Sequence, residues 1–196
     1  MPDHGKMMHL FLVRTPGLDV FAHLHPLMVD SRTFEVALPP LPAGHYAVYA
    51  DVVHETGSER TLVSGIDLHQ ELQAPSRADS DDAMALGTST LPDSMQLRMR
   101  VAPEQLSTTS PTALSFALVD HRGQAVGIEP YLGMPAHAVI MRTDGSVFVH
   151  LHPMGSVSPA AQRALNLRDA GDTTADGRLA MGTDSAAMGM APTCWR

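Results

Sequence analysis

Apolar and polar residues alternate over short stretches along most of this chain, and such alternation predicts β-strands. The stretches TFEVALP, HYAVYADVVH and RTLVSGIDL in the first half, and MQLRMRV and ALSFALV in the second, are rich in β-branched and aromatic residues. Prolines and a glycine over 39–44 separate the first two of these stretches. A short helix over 159–168 is the exception. Short strands at this spacing favour an all-β fold of antiparallel sandwiches.

One stretch of the pattern occurs twice. FAHLHP at 21–26 returns as FVHLHP at 148–153, and the preceding residues also align, beginning at Gly5 and at Gly133. The copies differ by one residue where RTPGLDVF corresponds to RTDGSVF. Because insertions belong in turns, each copy predicts a β-hairpin with a glycine-containing turn. A period this long predicts a duplicated domain rather than a solenoid.

The repeat divides the chain into two tandem sandwich domains over 1–70 and 95–157. An acidic, proline-bearing linker is predicted over 71–94, and a short helix with an irregular tail over 158–196. Strands near 114–119 precede the second hairpin without a counterpart before the first, and the strands after the first hairpin have no counterpart after the second. We therefore expect a fragment, in which the first domain lacks N-terminal strands and the second lacks closing strands.

The amino-acid composition narrows the classes of function that this chain can have. A net charge of -8 with 13 lysines and arginines opposes binding to phosphate backbones, so nucleic-acid binding is not expected. No apolar run approaches the ~20 residues of a membrane span, and the N-terminus lacks a signal-peptide pattern. A single Cys194 excludes a disulfide framework and an all-cysteine zinc site. The 11 histidines and 13 methionines are instead ligands that suit copper.

The repeated histidines have the spacing of a metal site. Alternate residues of a strand share a face about 6.6 Å apart, so His23 and His25 project together, and the second copy repeats this arrangement. A histidine in the partner strand of each hairpin completes a trio, and His54 is a fourth candidate in the first domain. Duplication of the trio favours metal binding over a pair of exposed or hydrogen-bonded imidazoles. The predicted metal ligands are His9, His23, His25, His54, His137, His150 and His152.

The remaining candidates rank lower. Met8 and Met134 lie near the trios and are weaker candidates as axial ligands, because methionine fills cores by default. Four histidines without a repeated counterpart are predicted to lie on the surface, namely His4, His45, His69 and His121. Nucleotide-binding, zinc-protease and serine-hydrolase motifs are absent from the sequence.

Two alternatives from other classes stay open. The first is a metal-dependent oxidoreductase or cupin-like enzyme that uses His23, His25 and Asp30. The second is an interaction module whose duplicated edge strands bind a partner. An enclosed pocket over the trio would favour the enzyme, whereas a shallow exposed site would favour metal transfer.

The blocks HGKMMHLFLVRTPGLDVFAHLHP, LPAGHYAVYADVVHETG and YLGMPAHAVIMRTDGSVFVHLHPMG resemble bacterial extracytoplasmic β-sandwich proteins of the FixH-like and YtkA-like group. The resemblance implies Ig-like sandwiches in the periplasm or elsewhere outside the cytoplasm, in settings of copper handling or respiratory-oxidase maturation. It implies a copper ion as cofactor, with zinc as the alternative, and a copper-handling or respiratory membrane protein as partner. We therefore expect a cell-envelope protein that holds or transfers copper rather than an enzyme.

Overall fold

The computed structural model describes residues 1–73, 78–87, 91, 94–100, 107–110, 112–153 and 155–179. The described elements are, in chain order, β1 His9–Thr15, β2 Val20–Leu24, β3 Leu27–Met28, β4 Phe34–Glu35, β5 Gly44–Val53, β6 Glu59–Leu68, β7 Ala83–Leu86, β8 Gln96–Arg100, β9 Ser115–Val119, β10 Ala138–Met141, β11 Phe148–Leu151 and α1 Pro159–Asp169. The prediction of an all-β fold is confirmed, with the short helix where the sequence predicts it. The division into tandem Ig-like domains stays a prediction.

The largest sheet has five strands in the order β6-β5-β1-β2-β7, and its neighbours are antiparallel. Its centre is the hairpin of the first repeat, in which Phe11 pairs with His23. The second repeat forms the matching hairpin, in which β10 pairs with β11. Both hairpins therefore lie where the duplicated pattern predicts them.

Strand β7 comes from the stretch predicted as a linker. Ala85 pairs with Phe21, and Ala83 pairs with His23, so this stretch adds an edge strand to the sheet of the first repeat. Strand β2, which carries the first HLHP motif, is therefore paired on both sides. It offers no free edge for a partner strand of the kind that an interaction module would use.

Each face of the five-stranded sheet has its own apolar core. On one face Leu12, Leu24 and Tyr46 are buried with Leu41, which comes from the segment between β4 and β5. This core fixes which way the strands face, because a shift of one residue in register would expose it. The histidines of β1 and β2 consequently lie on the opposite face.

That opposite face packs against the hairpin of the second repeat. Phe11 and Tyr49 are buried there, and Val139 and Phe148 of the second repeat pack against them. The rings of Tyr49 and Phe148 stack with centroids 4.0 Å apart. The second HLHP motif is thereby held over the first, with the histidines of both at one end of a shared apolar layer.

Helix α1 closes this end of the layer. Ser158 caps the helix by accepting a hydrogen bond from the Ala161 N–H through its side chain, and Ala160, Ala161 and Ala164 are buried. The Ser158 N–H donates to Glu59 Oε1 at 2.5 Å, which ties the helix N-terminus to β6. Within the described part of the chain, no helix has the length and apolar character that crossing a membrane requires.

Candidate metal centre

Histidines from both repeats gather into one cluster. Contacts between their rings run without interruption from the first repeat to the second, with centroid separations between 4.6 and 6.4 Å. The members of this histidine cluster are His4, His9, His23, His25, His137, His150 and His152. The two trios predicted as separate sites therefore lie side by side, and of the predicted histidine ligands only His54 is outside the cluster.

The first predicted trio is together. His9 comes from β1, His23 from β2, and His25 directly follows β2. Their ring centroids lie 4.6 to 5.2 Å apart, and each ring offers a nitrogen within 4.8 Å of the others. We call these three histidines the first triad. Its members are buried, with His9 and His25 each only 2% exposed.

The second triad differs from the prediction, because His4 joins His137 and His152. The His4 ring lies 5.0 Å from that of His137 and 5.1 Å from that of His152, between centroids. The surface assignment of His4 is therefore wrong, since its side chain is only 8% exposed. A ligand from the first repeat thus completes the triad of the second.

A tight turn places His4. Asp3 and Lys6 exchange two backbone hydrogen bonds across His4 and Gly5, whose φ angles are 50° and 81°. Positive φ at both central positions is the type I′ turn, which favours glycine at the second. Tyr131 and Met134 exchange the same pair of bonds in the second repeat. The alignment of Gly5 with Gly133 signals this turn, but not that its tip reaches the other repeat.

His150 belongs to neither triad and lies between them. Its ring centroid is 5.3 Å from that of His9, 5.6 Å from that of His137 and 4.6 Å from that of His152. Its Nε2 atom is buried and has no hydrogen-bond partner. His150 is therefore placed to serve an ion in either triad.

Carboxylates orient two of these histidines. Asp82 Oδ1 accepts a hydrogen bond from His25 Nδ1 at 3.2 Å, and Asp51 Oδ2 lies 3.4 Å from His150 Nδ1. Histidines that bind metals usually donate their second N–H to a carboxylate or carbonyl, which fixes the ring and its tautomer. In both cases Nε2 is the nitrogen left without a partner, as a metal ligand requires. Asp82 comes from the predicted linker, so its role has no counterpart in the repeat.

Asp3 is the third such carboxylate, and helix α1 holds it. The Ala160 N–H donates to Asp3 Oδ1 at 3.3 Å, while Asp3 Oδ2 lies 3.4 Å from His152 Nε2. The backbone oxygen of Asp3 lies 3.3 Å from His9 Nε2, within hydrogen-bond distance. Asp3 Oδ1 also lies 3.6 Å from His4 Nε2, so Asp3 contacts one histidine of the first triad and two of the second, and Nδ1 of His152 has no hydrogen-bond partner.

The comparisons with known proteins cover part of this centre. Residues 90–178 match the family model of a domain of unknown function, DUF8832. Neither a curated protein nor a solved structure matches the chain. The DUF8832 match includes the second HLHP motif and helix α1 but not the first motif, so the matched region supplies only some of the clustered histidines. The resemblance to the FixH-like and YtkA-like group stays a prediction.

Five of the clustered imidazoles have lowered pKa values and are held neutral. Burial first, and then repulsion from neighbouring imidazoles, lowers the pKa of His9 to about 3, of His23 to about 2 and of His137 to about 4. Burial also lowers the pKa of His4 and of His25. Neutral imidazole is the form that binds a metal, so these five imidazoles need no deprotonation at neutral pH.

Unsatisfied polar atoms also concentrate here. Across the described ranges, every buried side-chain nitrogen or oxygen without a hydrogen-bond partner is a ring nitrogen of this cluster. These atoms belong to His4, His25, His137, His150 and His152. Each such atom costs about 1–3 kcal/mol of stability. A bound cation would offset this cost by accepting the nitrogen lone pairs.

Other predicted residues lie elsewhere. His54 is exposed in the turn between β5 and β6, and its N–H donates to the Ser58 carbonyl. Asp30 is exposed and accepts a hydrogen bond from the Arg32 N–H at 2.7 Å, so it does not act as the carboxylate of the first triad. The exposed positions of three further histidines are confirmed, namely His45, His69 and His121. Met8 and Met134 are half-buried, and their use as axial ligands stays a prediction.

Proposed function

We propose that this chain binds two transition-metal ions, copper in preference to zinc, in one buried centre built by both copies of the HLHP motif. The observation that carries the proposal is that two histidine triads lie in contact. Within each triad, one ring nitrogen from each histidine lies within 4.8 Å of the others. Imidazoles are neutral-nitrogen ligands that suit copper, zinc, nickel and iron, whereas calcium and magnesium prefer oxygen. Among divalent ions at a nitrogen site, copper generally binds most tightly.

Burial supports a resident centre more than rapid metal transfer. His23 is 5% exposed and His152 is 7% exposed, so a partner protein has little access to the ligands. Transfer by ligand exchange needs ligands that a partner can reach. The chain would therefore hold its ions. A copper-handling membrane protein as partner and an extracytoplasmic location stay predictions that come from the resemblance.

A metal-dependent oxidoreductase is the second candidate function. The specific observation in its favour is that the centre is enclosed and adjoins a cavity bordered by His9, His150 and His152. Buried sites with a small adjoining cavity are typical of metals that act on small molecules. Asp30 has no part in this version, since it lies outside the centre.

Equilibrium dialysis against Cu(I), Cu(II) and Zn(II), followed by metal analysis, tests the proposal. The parent chain should retain two equivalents of copper. One double variant combines His23→Ala with His25→Ala, and the other combines His137→Ala with His152→Ala. Each double variant should retain at least one equivalent of copper less than the parent chain. A matched variant, His45→Ala, His69→Ala, removes two exposed histidines and should retain both ions.

Circular dichroism of each variant shows whether it remains folded. Equal copper content in all folded variants, or no copper in the parent chain, would contradict the proposal. Retention of zinc but not copper would keep the centre and change the metal.

A further inference from the structure

A cavity of about 130 Å³ lies against the histidine cluster. Its walls include His9 of the first triad, His152 of the second, and His150, which lies between them. The outer walls come from the end of β5 and the start of β6, including Asp51, Val53, Glu59 and Thr61. One small space thus borders histidines of both triads.

Three protein ligands leave an ion with an open position. Metal sites that act on other molecules commonly have three protein ligands, with water or substrate in the fourth place. Because His9 and His152 border the same cavity, a molecule bound there would reach the ions of both triads. The histidines that border the cavity are buried. Packing therefore holds their rings in place, as a preorganised binding site requires.

The cavity volume indicates the size of molecule that it can hold. An engineered protein cavity of about 150 Å³ binds benzene, so a space of about 130 Å³ holds a molecule with a few non-hydrogen atoms.

The carboxylates on the wall already have partners. Asp51 Oδ1 accepts a hydrogen bond from Thr61 Oγ1 at 2.5 Å, and Glu59 Oε1 accepts from the Ser158 N–H at 2.5 Å. Lys6 and Arg60 also line the cavity, and Lys6 Nζ pairs with Asp79 at 2.7 Å and with Asp81 at 2.9 Å. Because the carboxylates already have partners and the Arg60 guanidinium borders the space, the cavity is open to a small anion as well as to a neutral molecule.

We propose that this cavity is the binding site for a small oxygen- or nitrogen-donor molecule, which coordinates the metal centre at the open positions of its triads. The inference rests on the proposed function, because the ions provide the binding partner. In this inference the cavity walls, and not only the histidines, select ligands by size.

Azide is a suitable probe, because it has three non-hydrogen atoms and gives a charge-transfer absorption band when it binds Cu(II). The copper-loaded parent chain should show a band that saturates as azide is added. Val53→Trp should weaken azide binding at least tenfold while copper content stays at the parent level, since Val53 lies on the face of β5 that carries Asp51. Ser156 also lines the cavity, and Ser156→Trp replaces the first variant if that variant fails to fold.

Val63→Trp is the matched control. Val63 is 66% exposed on β6, outside the cavity walls, and this variant should bind azide as the parent does. A parent chain that holds two copper ions but gives no azide band would overturn the inference and leave the proposed function standing. Undiminished azide binding in both cavity variants at full copper content would also overturn it. A parent chain without copper would overturn the proposed function, and the inference with it.

Discussion

Acidification should destabilise the metal-free protein through buried imidazoles of the first triad. Burial, followed by repulsion from neighbouring imidazoles, lowers the pKa of His9 to about 3 and that of His23 to about 2. In the unfolded chain both groups have an ordinary pKa of about 6.5. Between these values the unfolded state binds protons that the folded state does not bind. The free energy of unfolding therefore falls as the pH falls.

The size of the effect follows from the pKa difference. Each imidazole lowers the free energy of unfolding by about 1.4 kcal/mol per pH unit below 6.5. At about pH 5 the loss is about 2 kcal/mol for each group, and about 4 kcal/mol for His9 and His23 together. The lowered pKa values of His4, His25 and His137 act in the same direction. A loss of this size is measurable, because whole domains unfold with about 5–15 kcal/mol.

Urea denaturation in the presence of a chelator, followed by circular dichroism at about pH 8 and about pH 5, measures this loss. The double variant His9→Gln, His23→Gln should show about 4 kcal/mol less pH dependence, because glutamine does not titrate. The variant His69→Gln changes an exposed histidine and should keep the parent behaviour. Equal stability of the parent at both pH values, or an unchanged pH dependence in the double variant, would refute the reasoning.

Three further results are expected. Asp82→Asn should lower copper affinity about tenfold in a competition assay with a chromophoric chelator, because it weakens the hydrogen bond that orients His25, whereas Asp30→Asn should not. Phe148→Ala should lower the free energy of unfolding by about 2 kcal/mol in urea even without metal, because it removes the ring stacked on Tyr49; an unchanged urea midpoint would contradict that packing. Copper at about 100 times its dissociation constant should add about 2.7 kcal/mol of stability per site, seen as a raised Tm, and an unchanged Tm would count against binding to the folded state.

Much of the fold could be predicted from local pattern. Period-two alternation gives strand faces directly, so the duplicated motif was sufficient to predict two hairpins with histidines on one face of each. Phe21 and Phe148 share that face with the histidines, and two aromatic residues in one motif are a signal that the face is buried.

The composite nature of the centre could not be predicted in the same way. It depends on contacts between residues far apart in the chain, such as Phe11 and Tyr49 with Phe148. The placement of His4 depends on where a turn tip lies once the two repeats have packed. Strand β7 has too short an apolar run, within an acidic stretch, to be distinguished from a linker.

Electron paramagnetic resonance of the chain loaded with two equivalents of Cu(II) tests the central claim most directly. The ring centroid of His4 in the second triad lies 6.4 Å from that of His9 in the first. Ions bound in the two triads should therefore interact magnetically. The account predicts a spectrum altered by that interaction, with single-ion signals restored in the His137→Ala, His152→Ala variant. Two independent, additive single-ion signals in the fully loaded parent chain would contradict a shared centre.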